Sequence, residues 1–430
     1  MKTDQIQKVH KDWYKLDLSA IVYPTLQRRD FSSVYRLSVL LKEDIDPEIL
    51  QRAVNLTMPR FPTYKAAIRK GVFWRYLEPN DRPGPFVQED VMNPCQPMHF
   101  KGNNRYLVRI YYYRNRIALE AHHSLGDGTG GMCVLQTLTA TYLRLKGHSE
   151  IENGGFVLDI LGIPDQGELE DAYMKYANAK VCPPRPGEKT YRVRGTKEPF
   201  YTLNIIDGIM SVSEVMQVAK SYNATITEYL NSVLLYALMR KQESEWHLKL
   251  RPVKIAMPVN LRRFFPSRTL RNFITMIYPG IDPRLGEYTF EEIVTQVHNY
   301  MRYYLNEKLL RGDITTNAET QRNPFIRIVP LFIKDLVVRQ FYTKIQDKNS
   351  SAGLTNMGAL KVPETMKPYI ERFDIYMGQP FSTRTNCAIA SFEDILTINF
   401  ASSIAETDVE RLFFRKLVQD GIHVKIESNR

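Results

Sequence analysis

Cysteine is scarce in this chain, and long apolar runs are missing. Among 430 residues there are four cysteines, Cys95, Cys133, Cys182 and Cys387. They lie far apart and form no metal-ligand spacing. No apolar run approaches the roughly 18 residues needed to span a bilayer, so no transmembrane segment is expected. The start, Met1-Lys2-Thr3-Asp4-Gln5, lacks the apolar stretch of a secretory signal, and the cytoplasm is the expected compartment. No basic run carries interleaved aromatics, and no zinc or helix-turn-helix signature occurs, so nucleic acid is not an expected partner. Short tandem repeats and low-complexity tracts are also missing.

What is present is an ordinary soluble composition of unusual size and sign. A chain of this length exceeds one ordinary core, and two domains or lobes are the natural expectation. The formal charge is +11. Such a balance fits a solvated basic surface. It equally fits an anionic partner: a phosphorylated cofactor, an acidic carrier or a membrane surface.

Hydrophobic periodicity gives a coarse map. Residues 32–42 alternate as a strand. Asp46-Pro47 then opens a helix on Ile49, Leu50, Ala53 and Val54, with proline suited to its first turn. Strand-like runs follow near 72–77, 105–114 and 116–120. After residue 129, Met132, Leu135, Leu138, Tyr142 and Leu145 share one helical face. Residues 182–199 carry Pro183, Pro184 and Pro186 without periodicity, and read as a linker between a lobe at 1–181 and a lobe at 200–430. In the second lobe, strands are predicted near 200–206, 252–259, 372–377, 385–391 and 394–400. Helices are predicted near 211–221, 225–241 and 289–310, and a last one from Thr407-Asp408. Helices and strands do not strictly alternate in either half, so the fold class is α+β.

One run carries chemistry: Ala121-His122-His123-Ser124-Leu125-Gly126-Asp127-Gly128. Histidine alone changes protonation near neutrality without a perturbed environment. The run sits between a strand and a helix, where rigid elements fix a displayed side chain. Neighbouring strand residues point to opposite faces, so only one of the two histidines can face a given cleft. A metal site would have only Glu120 and Asp127 nearby, without helical HExxH spacing, and no metal is expected. Asp127 is also a natural helix N-cap. Gly126, Gly128 and Gly131 formally match G-x-G-x-x-G, but the surroundings of Glu150 read as loop rather than the second strand a dinucleotide fold needs. These glycines read as turn and close-packing residues.

The run resembles the HHxxxDG signature of the chloramphenicol acetyltransferase-like superfamily. That group includes alcohol acetyltransferases, plant-type BAHD acyltransferases, wax ester synthases and peptide-synthetase condensation domains. Met257-Pro258-Val259-Asn260-Leu261-Arg262, followed by Asn272-Phe273, looks like the second-lobe strand of these enzymes. Ser351-Ala352-Gly353-Leu354-Thr355-Asn356-Met357-Gly358 looks like their crossover strand. The second BAHD motif survives only as an echo in Asp374-Ile375-Tyr376-Met377-Gly378, and the general look is closest to the alcohol acetyltransferase branch.

The resemblance implies two similar α+β lobes with a channel between them. It implies acyl transfer, with an acetyl group first in line, from acyl-CoA as co-substrate to a small-molecule hydroxyl or amine acceptor. No permanently bound cofactor is expected, and a monomer is. His123 is the expected general base. The Gly128 N–H is the expected oxyanion donor at a helix N-terminus. His122 is expected to pack behind His123. Asp127 is expected to form a structural salt bridge with Arg262, although Arg262, Arg263, Arg268 and Arg271 could instead face cofactor phosphates. Asn260, Asn272, Thr355 and Asn356 are the expected substrate-binding residues. Two other classes stay open: an enzyme fed by an acyl carrier protein, and a non-catalytic binding protein that keeps the fold.

Overall fold

The computed structural model describes residues 13–27, 31–180, 188–245, 247, 249–378 and 383–430. Three sheets organise it. A five-stranded sheet runs in the order Ile370–Met377, Val34–Leu41, Arg116–His122, Val108–Tyr113, Val87–Glu89. The second and larger sheet contains Ile274–Ile277, Val253–Asn260, Ala352–Ala359, Thr385–Phe392, Ile395–Ser402, Asn204–Ser211 and Lys425–Ser428 in that order, with Gly280–Ile281 paired to Val253–Asn260. A small sheet joins Tyr14–Lys15, Arg75–Pro79 and Ala66–Lys70.

Helices cover these sheets because their apolar stripes demand it. Pro47–Thr57 begins at Asp46, whose carboxylate caps Glu48 N and Ile49 N. It packs with Gly128–Leu145 over the five-stranded sheet. Gly128–Leu145 is buried nearly all round, which accounts for its run of apolar and small residues. On the large sheet, Val212–Ser221, Ile226–Ser244, Phe290–Tyr304 and Asp408–Gln419 bury a second core that includes Leu234, Leu238, Ile293 and Phe413. The α+β class follows from these layers.

Several expectations change. The single helix near 289–310 is two helices, Phe290–Tyr304 and Glu307–Arg322, because Asn306 caps Leu309 N and restarts the chain. The helix Leu331–Asn349 has no counterpart in the sequence reading. The crossover is also made elsewhere. Ala352–Ala359 lies within the large sheet, parallel to its neighbours Val253–Asn260 and Thr385–Phe392. The strand that leaves the second half is Ile370–Met377, antiparallel to Val34–Leu41 at the edge of the first sheet. Its tie back to the large sheet is polar. Tyr376 Oη donates to Asp207 (2.9 Å), and Ile375 N donates to Asn399 Oδ1 (3.1 Å). The Asp374-Tyr376 echo therefore marks the seam between sheets.

The proposed linker 182–199 falls partly on residues 182–187, which lie outside the described residues, as does Cys182. Two elements cross the division it would make. One is Ile370–Met377. The other is the short helix Ala172–Tyr176, which joins Phe265, Phe273, Leu310 and Ile314 in a third small core.

Candidate active site

The strand Arg116–His122 and the helix Gly128–Leu145 are joined by residues 123–127. His122 N donates to Leu107 O (3.0 Å), and His123 N donates to Ser33 O (2.9 Å). The backbone is thus anchored on both sides while the two side chains diverge. His122 is fully buried, edge-on to Phe100, and its Nδ1 accepts from Ser124 N (3.2 Å). His123 is half-buried between two tyrosine rings. Tyr23 stacks on it at 4.8 Å, and Tyr35 lies tilted at 4.6 Å.

This setting decides the protonation of both rings. Burial lowers His122 to about 3, and the neighbouring His123 pushes the same way. Burial lowers His123 to about 4, against the opposing pull of Asp127, the Asn272 side chain and the Gly126 backbone. Both imidazoles are neutral near pH 7, the form that accepts a proton.

Asp127 is the structural hub. Its Oδ1 caps the helix, accepting from Thr129 N (3.1 Å) and Gly130 N (3.2 Å). Its Oδ2 accepts from Phe273 N (2.9 Å). Arg262 adds a fork: Nη1 to Oδ2 at 2.8 Å and Nη2 to Oδ1 at 3.3 Å. The remaining Arg262 donors go to Thr269 O, Asn260 Oδ1 and Arg271 O. The guanidinium is therefore occupied within the protein.

The cluster of four arginines divides in the same way. Arg271 faces the buried Asp17 (3.6 Å), and Arg268 pairs with Asp165. Arg263 alone of the four is exposed without a carboxylate partner among the described residues.

With Asp127 in place, the first helical turn has one amide left over. Thr129 N and Gly130 N donate to the Asp127 side chain, and Gly131 N donates to Asp127 O (2.9 Å). The Gly128 N–H has no hydrogen-bond partner among the described residues, and its residue is half-buried. A Cβ at Gly128 would meet only the flexible end of Met357, at 3.0 Å. At Gly130 a Cβ would overlap the Leu270 carbonyl, so that glycine exists for close packing.

Asn272 is placed behind His123 rather than in front of it. It is buried, and its Nδ2 donates to His123 O (2.9 Å) and to Asp17 Oδ2 (3.1 Å). Asp17 is fully buried too. Burial raises its carboxyl, with Arg271, Ala20 N and Asn272 opposing. Asn272 Oδ1 and His123 Nδ1 are both buried and have no hydrogen-bond partner among the described residues. Asn260 joins two elements distant in sequence: its Oδ1 accepts from Arg262 N and its Nδ2 donates to Thr129 Oγ1 (3.2 Å). Asn356 donates to Thr227 Oγ1 (2.9 Å) and accepts from Gly358 N, and makes no hydrogen bond to His123 among the described residues. Thr355 is half-buried on the strand that brings Met357 to Gly128.

The sequence reading did not find Tyr23, Tyr35 or Asp17. Tyr35 lies in an alternating strand, where an aromatic reads as core. Tyr23 and Asp17 lie in a segment without periodicity. Among the described residues no His, Cys, Asp and Glu cluster could hold a metal ion, and no helix is long and apolar enough to cross a membrane.

No protein-family model matches the sequence, and no curated protein matches it. Solved structures do match its fold. The trichothecene 15-O-acetyltransferase TRI3 of Fusarium sporotrichioides is 12% identical, with a TM-score of 0.58, covering 95% of this chain and 94% of that one. TRI101 of the same organism, solved with coenzyme A and T-2, is 12% identical with a TM-score of 0.61, covering 97% and 100%. The starter condensation domain of rhizomide synthetase, solved with C8-CoA, is 13% identical with a TM-score of 0.58, covering 97% of each chain. The chain shares the fold of these two acetyltransferases and this condensation domain over nearly its whole length.

Proposed function

We propose that this protein transfers an acyl group from a thioester, acyl-CoA first, to a hydroxyl-bearing small molecule. The observation that carries the reading is the pairing of a neutral, half-buried His123 with an unpartnered Gly128 N–H at the start of the same helix. One group can take a proton, and the other can stabilise a developing negative charge.

The chemistry needs no covalent enzyme intermediate, because a thioester is already activated. His123 Nε2 accepts the acceptor's hydroxyl proton as the oxygen attacks the thioester carbon. The tetrahedral oxyanion is held by the Gly128 amide and favoured by the helix N-terminus. Collapse breaks the C–S bond, and His123 returns the proton to the leaving thiolate. The products are an ester and free thiol. Asn272 acts through His123: its Nδ2 holds the histidine's backbone carbonyl, and its side chain favours the protonated ring. It is a positioning residue, not a substrate ligand. Asp127 and Arg262 hold the loop in shape and take no proton. Thr355 stays the best placed of the proposed substrate contacts.

Several observations favour this over a bare scaffold: the intact base, the free amide, and structural neighbours solved with coenzyme A or C8-CoA. The deciding experiment is a thiol-release assay. Acetyl-CoA and longer acyl-CoAs are compared with an acyl-carrier donor across a panel of alcohols and amines. Thiol release from CoA donors, dependent on an acceptor, supports the reading. Release only from the carrier donor moves the protein to the carrier-fed class, and release from neither leaves a binding protein.

A further inference from the structure

An apolar face stands in solvent with no described element over it. It is built from two segments distant in sequence. One is the turn holding Val72, Phe73 and Trp74. The other comprises the helix Pro324–Ile328 and the start of the helix Leu331–Asn349. Hydrogen bonds join them into one surface. Leu331 N donates to Val72 O (2.9 Å), and Lys334 Nζ donates to both Phe73 O (2.9 Å) and Arg327 O (3.1 Å).

Among the described residues, the start of the helix Leu331–Asn349 is held against Thr25 and Arg75. There Asp335 receives Arg75 and Thr25, and Arg339 donates to Thr25 O (2.8 Å). The same stretch presents Phe332 and Leu336, one helical turn apart. Exposure here is extreme for such side chains: 77% for Phe325, 74% for Phe332 and 70% for Val72. Ile328, Trp74 and Leu336 are exposed beside them. A contiguous apolar patch of this kind marks an interaction site.

Charge identifies the partner. Residues 66–78 and 321–340 contain seven cations, namely Arg69, Lys70, Arg75, Arg322, Arg327, Lys334 and Arg339, against two carboxylates; Glu78 is taken by Arg69, and the other is Asp335. That carboxylate is already paired with Arg75. A second copy of this chain is a poor occupant, since a two-fold contact would set this basic face against itself. Protruding Phe, Ile, Leu and Trp side chains among Lys and Arg match what inserts into the interface of a lipid bilayer. We propose that this face docks the protein on an anionic membrane surface. The rings enter the headgroup boundary and the cations meet lipid phosphate and carboxylate. The inference does not depend on the acyl-transfer reading, and its test measures no turnover.

The test is co-sedimentation of the full chain with vesicles of phosphatidylcholine alone or mixed in equal parts with phosphatidylserine. Phe325→Ser, Phe332→Ser and the pair Lys70→Gln with Arg327→Gln are compared with the parent, each checked for an unchanged circular dichroism spectrum. The proposal expects binding to the mixed vesicles that weakens in high salt. Each ring substitution should lower the partition constant by about tenfold, and the cation pair should remove the preference for phosphatidylserine. It is overturned if the parent ignores the mixed vesicles, or if the ring variants bind as the parent does. It is equally overturned if sedimentation velocity shows a dimer that Phe332→Ser dissolves, for the face would then belong to a second copy.

Discussion

Arg262 grips Asp127 with both terminal nitrogens, at 2.8 and 3.3 Å, across 135 residues of sequence. The carboxylate that starts the helix after His123 is thereby bound to the loop that follows the strand Val253–Asn260. Both groups are nearly excluded from solvent. Removing either partner leaves a buried charge, a loss on the order of 3–5 kcal/mol. Asp127→Asn and Arg262→Ala are each expected to shift the urea midpoint downward, and the double variant should be less destabilised than the sum. Strict additivity in those unfolding curves would contradict the contact.

Burial of the two histidines makes a pH signature. A histidine whose folded value lies below its unfolded value of about 6.5 binds its proton more readily in the unfolded chain. Protonation then favours unfolding, so this part of the stability is lost as the pH falls from about 6.5 downward. Buried carboxyls such as Asp17 and Asp171, both raised by burial, work in the opposite direction. The histidine share is isolated by comparing wild type with His122→Gln. The variant should lose less stability between neutral and mildly acidic urea titrations.

Activity should carry the same mark. The proposed mechanism uses His123 as the neutral base, and burial lowers its value to about 4. The rate constant kcat/KM is expected to stay level through mildly acidic pH and to fall only as His123 takes up its proton. An acid limb centred near 6.5, the value of a free imidazole, would contradict the lowering of His123 by burial.

Asn272→Ala separates positioning from binding. The account expects kcat to fall by on the order of a hundredfold as the ring loses its orientation, with KM for acceptor and donor little changed. Because Asn272 raises the His123 pKa, the acid limb should also move lower. A rise in KM at constant kcat would restore Asn272 to the substrate-binding residues.

Two glycines of one turn should fail differently. Gly130→Ala forces a Cβ into the Leu270 carbonyl and is expected to cost about 1–3 kcal/mol in stability, as overpacking does. Gly128→Ala meets only the end of Met357 and should fold, with its loss read in kcat. Equal melting temperatures for the two variants would contradict the packing argument.

Local chemistry made much of this legible from sequence. Asp46 before Pro47 and Asp127 before a small-residue run are helix starts that any chain obeys, and both caps are present. The strand around Leu119 showed in its β-branched and apolar content, and the HHxxxDG run pointed to the site. What stayed hidden is what tertiary contact decides. Asn272 reads as a substrate-binding residue until Asp17, 255 positions away, is seen beneath it. The crossover passed to Ile370–Met377 because strand pairing, not motif, chooses the sheet. Leu331–Asn349 escaped because Phe332, Ile333, Leu336 and Val337 at its start face solvent, so no buried stripe marks its period there.

The most direct measurement is acceptor-dependent thiol release by His123→Ala, on protein shown by its melting curve to be folded. The account predicts a loss of about 10²–10⁴-fold relative to wild type, the share a positioned base supplies. Near-normal turnover in the folded variant would contradict it.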